Sequence, residues 1–294
     1  MKLTLGTWDR TAVAPSTVAV PVPRGRFEAR RKRVCLALAA ALAWTGLNVA
    51  PANAVTHGVL DGNGHPYVGL MVAKDSEGEP QWRCSGTLIS PTIFLTAGHC
   101  TAGAARVEIW FDADLTDASA HDYPDQGDVA GTPYSHPLYD EAAFYLYDLG
   151  VVVLDEEVSM PEYGALPDLN LLDKLATQRG RQDVSFTAVG YGRQRSFPDA
   201  ASWKNQADRV RMVAYPKLNQ INTGFTGDGS LVLSNNARTG GTCFGDSGGP
   251  NFIGSSNVIA GVTSFGNNDT CAGTGGVYRV DRVDDLEWLN TFND

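Results

Sequence analysis

An all-β fold, sandwich or barrel, is predicted by three features of this chain. Short β-prone runs recur along it, turn chemistry separates them, and long helical periodicities are few. The runs cover residues 67–73, 87–90, 107–111, 149–154, 184–190, 210–215, 258–263 and 277–280. One stretch breaks the pattern: Val280, Val283, Leu286 and Leu289 recur every third residue and Phe292 follows, the spacing of a terminal helix docked by one face. Residues 169–176 read as a short helix between two β units, so a boundary falls near residue 170 and divides 55–170 from 171–294. A chain of 294 residues with 43% apolar content builds a sizeable core in one large or two small domains.

Ahead of the first run, residues 1–54 differ in character. Arg24, Arg26, Arg30, Arg31, Lys32 and Arg33 precede an apolar run at 34–43, and Ala52-Asn53-Ala54 supplies a small-x-small cleavage site. This is the layout of an export signal, and the run is too short to cross a bilayer comfortably as a permanent anchor. Arg30-Arg31 hints at twin-arginine export, although the flanking residues fit it poorly. Cleavage predicts a secreted chain that begins at Val55, with no membrane partner once the signal is gone. That chain keeps 15 basic against 31 acidic residues, a net charge of −16. Such acidity argues against nucleic acid or an anionic membrane as partner, because phosphate binding requires concentrated Lys and Arg.

Five cysteines occur, and Cys35 lies inside the signal. The four that remain predict two disulfides in an oxidising compartment. Of three possible connectivities, the two short loops, Cys84 with Cys100 and Cys243 with Cys271, are favoured, each stabilising by about 3 kcal/mol. Zinc is a poor alternative: no C-x-x-C pair occurs, and His99 abuts Cys100, an awkward spacing for two ligands of one tetrahedral site. The acidic stretch Asp112, Asp114, Asp117, Asp122, Asp125 and Asp128 offers oxygens for calcium, but its spacing matches no EF-hand and a solvated loop is preferred. No metal or other cofactor is therefore expected.

The sharpest chemical signal is Gly245-Asp246-Ser247-Gly248-Gly249-Pro250. It holds a serine among residues suited to a tight turn. Without a Cβ at Gly245, the backbone can aim that amide and the amide of Ser247 at one point, a two-donor site for a developing oxyanion. A serine hydroxyl is a weak nucleophile at neutral pH, so it needs a base and a group to orient the base. His99 and Asp148 fit those needs. Asp140 is a rival carboxylate, but only Asp148 leads directly into the apolar run 149–154. His57, His65, His121 and His136 sit in no comparable motif and are assigned no chemical role.

Thr96-Ala97-Gly98-His99-Cys100, Asp148-Leu149-Gly150-Val151 and Gly245 to Pro250 resemble, in that order, the three catalytic motifs of the chymotrypsin (trypsin-like) serine protease family. Further segments match in order: His65-Pro66-Tyr67-Val68-Gly69, Cys84-Ser85-Gly86-Thr87-Leu88, Gly190-Tyr191-Gly192, Ser264-Phe265-Gly266 and Gly276-Val277-Tyr278. The resemblance implies two antiparallel six-stranded β-barrels with a C-terminal α-helix, and a monomer acting on polypeptide substrates. It implies a triad of His99, Asp148 and Ser247, an oxyanion hole of the Gly245 and Ser247 amides, and a substrate-pairing edge at Ser264, Phe265 and Gly266. Asp246 would receive the freed amino terminus of Val55, or, if Val55 to His57 is a short propeptide or a loose end, would be held by other donors. The pocket floor falls at Gly241 beside Thr242, with Gly266 and Gly276 at the walls. With no acidic floor this pocket reads as neutral and open, suited to apolar or aromatic residues. Thr263, where glutamate-specific relatives carry a histidine, disfavours acidic residues. Gly98 stands for the usual alanine, Phe265 for the usual tryptophan, and the third disulfide of animal members is missing. A silent binding protein on the same fold needs a broken triad, and the G-x-S-x-G elbow of typical esterases is absent.

Overall fold

The computed structural model describes residues 55–177, 183–224 and 226–292; the expected signal, its cleavage site and Cys35 lie outside them. The first half closes into a barrel of β2 (Val68–Lys74), β3 (Pro80–Leu88), β4 (Ile93–Thr96), β7 (Gly150–Leu154), β6 (Val129–Ser135) and β5 (Arg106–Trp110), in that order round the wall. Every residue of β2 is buried, because it pairs with β3 on one side and β5 on the other. Val68, Met71, Phe94, Leu95, Val107, Ile109, Val151 and Val152 share one apolar core. The expected run at 87–90 proves to be the end of the nine-residue β3.

The second half is an eight-stranded antiparallel sheet. Its order is β1 (Val59–Leu60), β9 (Met212–Ala214), β8 (Phe186–Gly190), β12 (Pro250–Ile253), β13 (Ile259–Gly266), β14 (Gly273–Arg279), β11 (Ser230–Asn235) and β10 (Leu218–Ile221). Eight strands replace the six implied for a second barrel for two reasons. β1 adds at the edge beside β9, and Pro216, with no N–H to give a ladder, splits one bent run into β9 and β10. The sheet curls until a bridge from Ser185, just before β8, to Lys217, just before β10, brings its β10 end back against β8. Phe186, Leu218, Leu231, Leu233, Ala260 and Val277 fill the space enclosed.

Both halves belong to one compact unit, and they exchange segments across the expected boundary at 170. β1 pairs with the second sheet, whereas Leu289 of the terminal helix packs into the first core. That helix spans Val283–Asn290. Val280 and Leu289 are buried as expected, whereas Val283 is 53% exposed and Asp285 points inward in its place. The short helix expected at 169–176 is a 3₁₀ turn over Asp173–Thr177. Among the described residues no helix is long and apolar enough to cross a membrane.

A buried cation ties the halves together. The Arg211 side chain is fully buried, and its guanidinium donates to Asp61 Oδ2 (3.1 Å) and Gly62 O (2.7 Å), to Val68 O (3.0 Å) and Phe111 O (2.8 Å) around the barrel, and to the Tyr191 hydroxyl (3.1 Å). Burial raises the Asp61 carboxyl, but the His65 hydrogen bond and charge, with Arg211, hold it below its ordinary value. A depressed carboxyl stabilises the folded state above the unfolded pKa and loses that contribution as pH falls through the folded one. Arg211→Met removes the buried cation that pairs with Asp61 and its hydrogen bonds to four further acceptors, and a loss of roughly 3–5 kcal/mol in urea unfolding is expected. That deficit should shrink in acid, where Asp61 is protonated in both states.

Candidate active site

The barrel wall brings His99 and Asp148 together. β4 ends at Thr96, and His99 sits in the single helical turn Gly98–Thr101 that follows. Asp148 precedes β7, and β4 and β7 pair with Thr96 opposite Gly150, so both side chains emerge at one end of the wall. Asp148 is fully buried. Its carboxylate lies 2.9 Å from His99 Nδ1 through Oδ2, and accepts the His99 backbone N–H at 2.8 Å and the Ser264 hydroxyl at 2.5 Å. Burial pushes the His99 imidazole down, but the Asp148 carboxylate beside it prevails and raises it above the ordinary 6.5. The disulfide from Cys84 to Cys100 fastens the histidine turn to β3, with the two Cα atoms 6.2 Å apart. Ligand atoms of Cys84, His99 and Cys100 lie within 4.8 Å of one another, yet the two sulfurs are bonded together and present no thiolate to a metal.

Ser247 is held by the turn that precedes β12. Gly245 adopts φ +96°, a conformation that a side chain resists, and a Cβ there would sit 3.1 Å from Gly192 Cα. Among the described residues the N–H groups of Gly245 and Ser247 have no protein acceptor, so both remain free to meet negative charge. Ser85 of β3 sets their direction. Its hydroxyl donates to Gly245 O at 2.8 Å and accepts the Tyr191 N–H at 2.9 Å, while its backbone N–H donates to Ser247 O at 2.8 Å. Asp246 between them is fully buried and accepts N–H bonds from Gly192 (2.8 Å) and Cys243 (2.9 Å). Burial raises its carboxyl to about 7, against the pull of those two donors and of Arg83.

Ser247 and His99 face a common cavity of about 310 Å³, bordered also by Phe144, Thr242, Phe244, Ser264, Phe265 and Gly266. No hydrogen bond joins the Ser247 hydroxyl to His99 in this structure, a spacing common in unliganded sites that tighten on substrate. The disulfide from Cys243 to Cys271 braces the rim, and both cysteines line the cavity. Two expected pocket residues lie elsewhere. A Cβ on Gly241 would run into the buried Asn235 side chain, which donates to Thr242 O at 2.7 Å. Gly276 is covered by the Phe265 ring, so neither glycine borders the cavity and the pocket is shallower than an open glycine-walled one. Sequence reasoning missed Asn235, Phe144 and the role of Ser85: Asn235 belongs to no motif, and Phe144 and Ser85 act through partners more than a hundred residues away.

The other acidic and basic candidates have ordinary tasks. Asp140 accepts from Ala142 N at 2.9 Å and caps a turn. In the acidic stretch Asp114 binds Thr116, Asp117 caps the turn at 118–120, Asp128 accepts from Phe111 N, and Asp112 pairs with His121.

A closed six-stranded barrel beside a curled antiparallel sheet, with a terminal helix and a cleft between them, is the chymotrypsin-like fold. The chain belongs to the trypsin family of serine proteases, whose profile matches residues 60–286. It is 28% identical over 222 residues to a trypsin of Saccharopolyspora erythraea, covering 73% of this chain and 87% of the relative. It is 30% identical over 206 residues to trypsin 5G1 of Aedes aegypti, covering 69% and 73%. Against CLIP domain-containing serine protease B10 of Anopheles gambiae identity is 29%, over 76% of this chain and 65% of that longer protein. Among solved structures, HL collagenase superposes with a TM-score of 0.59 at 20% identity, over 78% of this chain and 93% of its own. Human heparin binding protein superposes at 0.56 and 20%, over 78% and 92%. These two show the shared fold alone.

NMR titration of the His99 ring is expected to give a pKa above 6.5, because the carboxylate beside it outweighs burial. In Asp148→Asn only burial remains to act, and the pKa is expected to drop below 6.5. An unchanged value in the variant would show that Asp148 does not govern the ring.

Proposed function

We propose that the chain is a secreted endopeptidase that hydrolyses peptide bonds through Ser247, His99 and Asp148. The observation that carries this is the His99 ring, held by the buried Asp148 carboxylate and facing the same cavity as Ser247, beside two backbone N–H groups with no acceptor among the described residues. Ser247 Oγ attacks the scissile carbonyl carbon while His99 takes its proton, giving a tetrahedral oxyanion held by the Gly245 and Ser247 amides. His99 then returns the proton to the leaving amine, and water releases the acyl group from Ser247 by the same steps in reverse roles. Asp148 keeps the imidazole oriented and stabilises its cation. Ser264 and Gly266, in the part of β13 that runs beyond its pairing with β12, are assigned the pairing with extended substrate backbone. The substrates are polypeptides, the protein a monomer, and neither nucleic acid nor membrane takes part.

Specificity is proposed for apolar or aromatic residues before the cleaved bond. Asn235, whose side chain lies against Gly241, brings no charge there, and Phe144, Phe244 and Phe265 give the cavity apolar walls. Activation is proposed to follow signal cleavage directly. Val55 is fully buried, Thr56 O accepts the Gly241 N–H at 3.1 Å, and the buried Asp246 carboxyl forms no ion pair among the described residues. A newly freed ammonium at Val55 would supply that missing cation.

A phosphonylating serine reagent is expected to label Ser247, and Ser247→Ala to lose both labelling and peptidase turnover, by on the order of 10⁶-fold. A labelled protein that cuts esters but no casein would instead be an esterase, and an unlabelled one a binding protein. Competing peptides are expected to be cut after Phe or Leu in preference to Arg, and dominant Arg cleavage would overturn the pocket assignment. Amino-terminal sequencing of the active secreted enzyme is expected to begin at Val55; a start well downstream would remove the proposed activation.

A further inference from the structure

Two arginines stand on the far side of the Gly245 turn from the cavity. A Cβ built on Gly245 would lie 3.7 Å from Arg83 Nε, and neither Arg83 nor Arg193 borders the cavity itself. Arg193 follows Gly192, gives its backbone N–H to Phe244 O at 2.9 Å, and lays its guanidinium 5.3 Å from the centre of the Phe244 ring. Both side chains are partly exposed. Arg83 donates only to Ala207 O, at 3.4 Å, and neither guanidinium comes within 4 Å of a carboxylate among the described residues. Arg106, Arg211, Arg279 and Arg282 each pair with an aspartate, whereas Arg195, Arg209 and Arg238 share with Arg83 and Arg193 the lack of one within 4 Å among the described residues. What sets Arg83 and Arg193 apart is their place beside Gly245 and Phe244, next to the cavity. An external carboxylate can reach them there, in a chain that from Val55 on has twice as many acidic as basic residues. Arg83 also acts on the buried Asp246 carboxyl from beyond 4 Å.

Their position fixes what that partner is. Once the acyl side of a substrate lies in the cavity along Ser264 to Gly266, the Gly245 amide caps the scissile carbonyl. The chain beyond the cleaved bond must then leave across Gly245, toward Arg83, Arg193 and the exposed face of Phe244. We propose that Arg83 and Arg193 form a cationic subsite for the leaving segment, selecting polypeptides with Asp or Glu in the first positions after the cleaved bond. Guanidinium donors match carboxylates in fork geometry, and Phe244 offers an apolar shelf that holds Arg193 ready. The rest of the protein repels acidic peptides, so the attraction is local and acts within roughly a Debye length, about 8 Å at physiological salt. This inference rests on the peptidase reading and adds a substrate class to it.

The test uses internally quenched peptides with one constant acyl side and Glu, Ala or Lys at the first two positions after the cleaved bond. In the intact enzyme kcat/KM is expected to fall by about fivefold from Glu to Ala and again to Lys at low salt, with the spread narrowing in 0.5 M NaCl. Arg83→Gln and Arg193→Gln are each expected to reduce the spread, and the double variant to abolish it. Labelling of Ser247 by a small phosphonylating reagent, which carries no leaving segment, reports that each variant is folded. Equal rates on the Glu and Lys peptides, or a spread that survives in a labelled double variant, would overturn the subsite alone. A protein that neither labels nor cleaves would overturn the peptidase reading as well.

Discussion

The candidate site depends on one seam, where Ser85 of the barrel grips the turn that carries Ser247. Three hydrogen bonds cross there within 2.9 Å, to Ser247 O, Gly245 O and the Tyr191 N–H. His99 and Asp148 belong to the first sheet and Ser247 to the second, so their relative position is set by packing between sheets and by no local turn. Ser264 adds a second tie from the other sheet, its hydroxyl on the Asp148 carboxylate. A shift of about an ångström at such a seam can cost 10²-fold in rate, which explains why so many polar groups are spent on it.

Buried charge recurs in the same region. Arg211 gathers the amino-terminal segment, the barrel and Tyr191 around one cation, and Arg279 does the same for Asp281, Asp173 and Asn222 beneath the second sheet. Each guanidinium is satisfied by several acceptors, the condition under which a buried ion avoids a large desolvation penalty. Asp246 is fully buried with two N–H donors, and no cation lies within 4 Å of its carboxyl among the described residues. The role proposed for the Val55 terminus would bring one there.

The two sides of the cleft differ in chemistry. Three phenylalanines border the cavity, whereas Arg83 lies beside Gly245 and Arg193 over the Phe244 ring. The apolar residue proposed before the cleaved bond and the acidic one proposed after it would therefore meet different neighbours. Phe265 contributes to both shape and depth, because its ring lies over Gly276 and meets Phe144 edge-on at 6.2 Å.

The amino-acid sequence by itself determined the β class, the terminal helix and the residues with chemistry to offer. Short alternating runs, the three-residue spacing near the end, and the motifs around His99, Asp148 and Ser247 are local signals, legible within ten residues. Strands such as β6 and β12 escaped notice because Gly131, Pro133 and Pro250 dilute the pattern. Pocket depth, the ring of Phe265 over Gly276, the grip of Ser85 and the pairing of Arg211 with Asp61 were decided only by the tertiary structure. Each joins groups far apart in the chain, and hydrophobic periodicity carries no information about which distant side chain fills the space a glycine leaves.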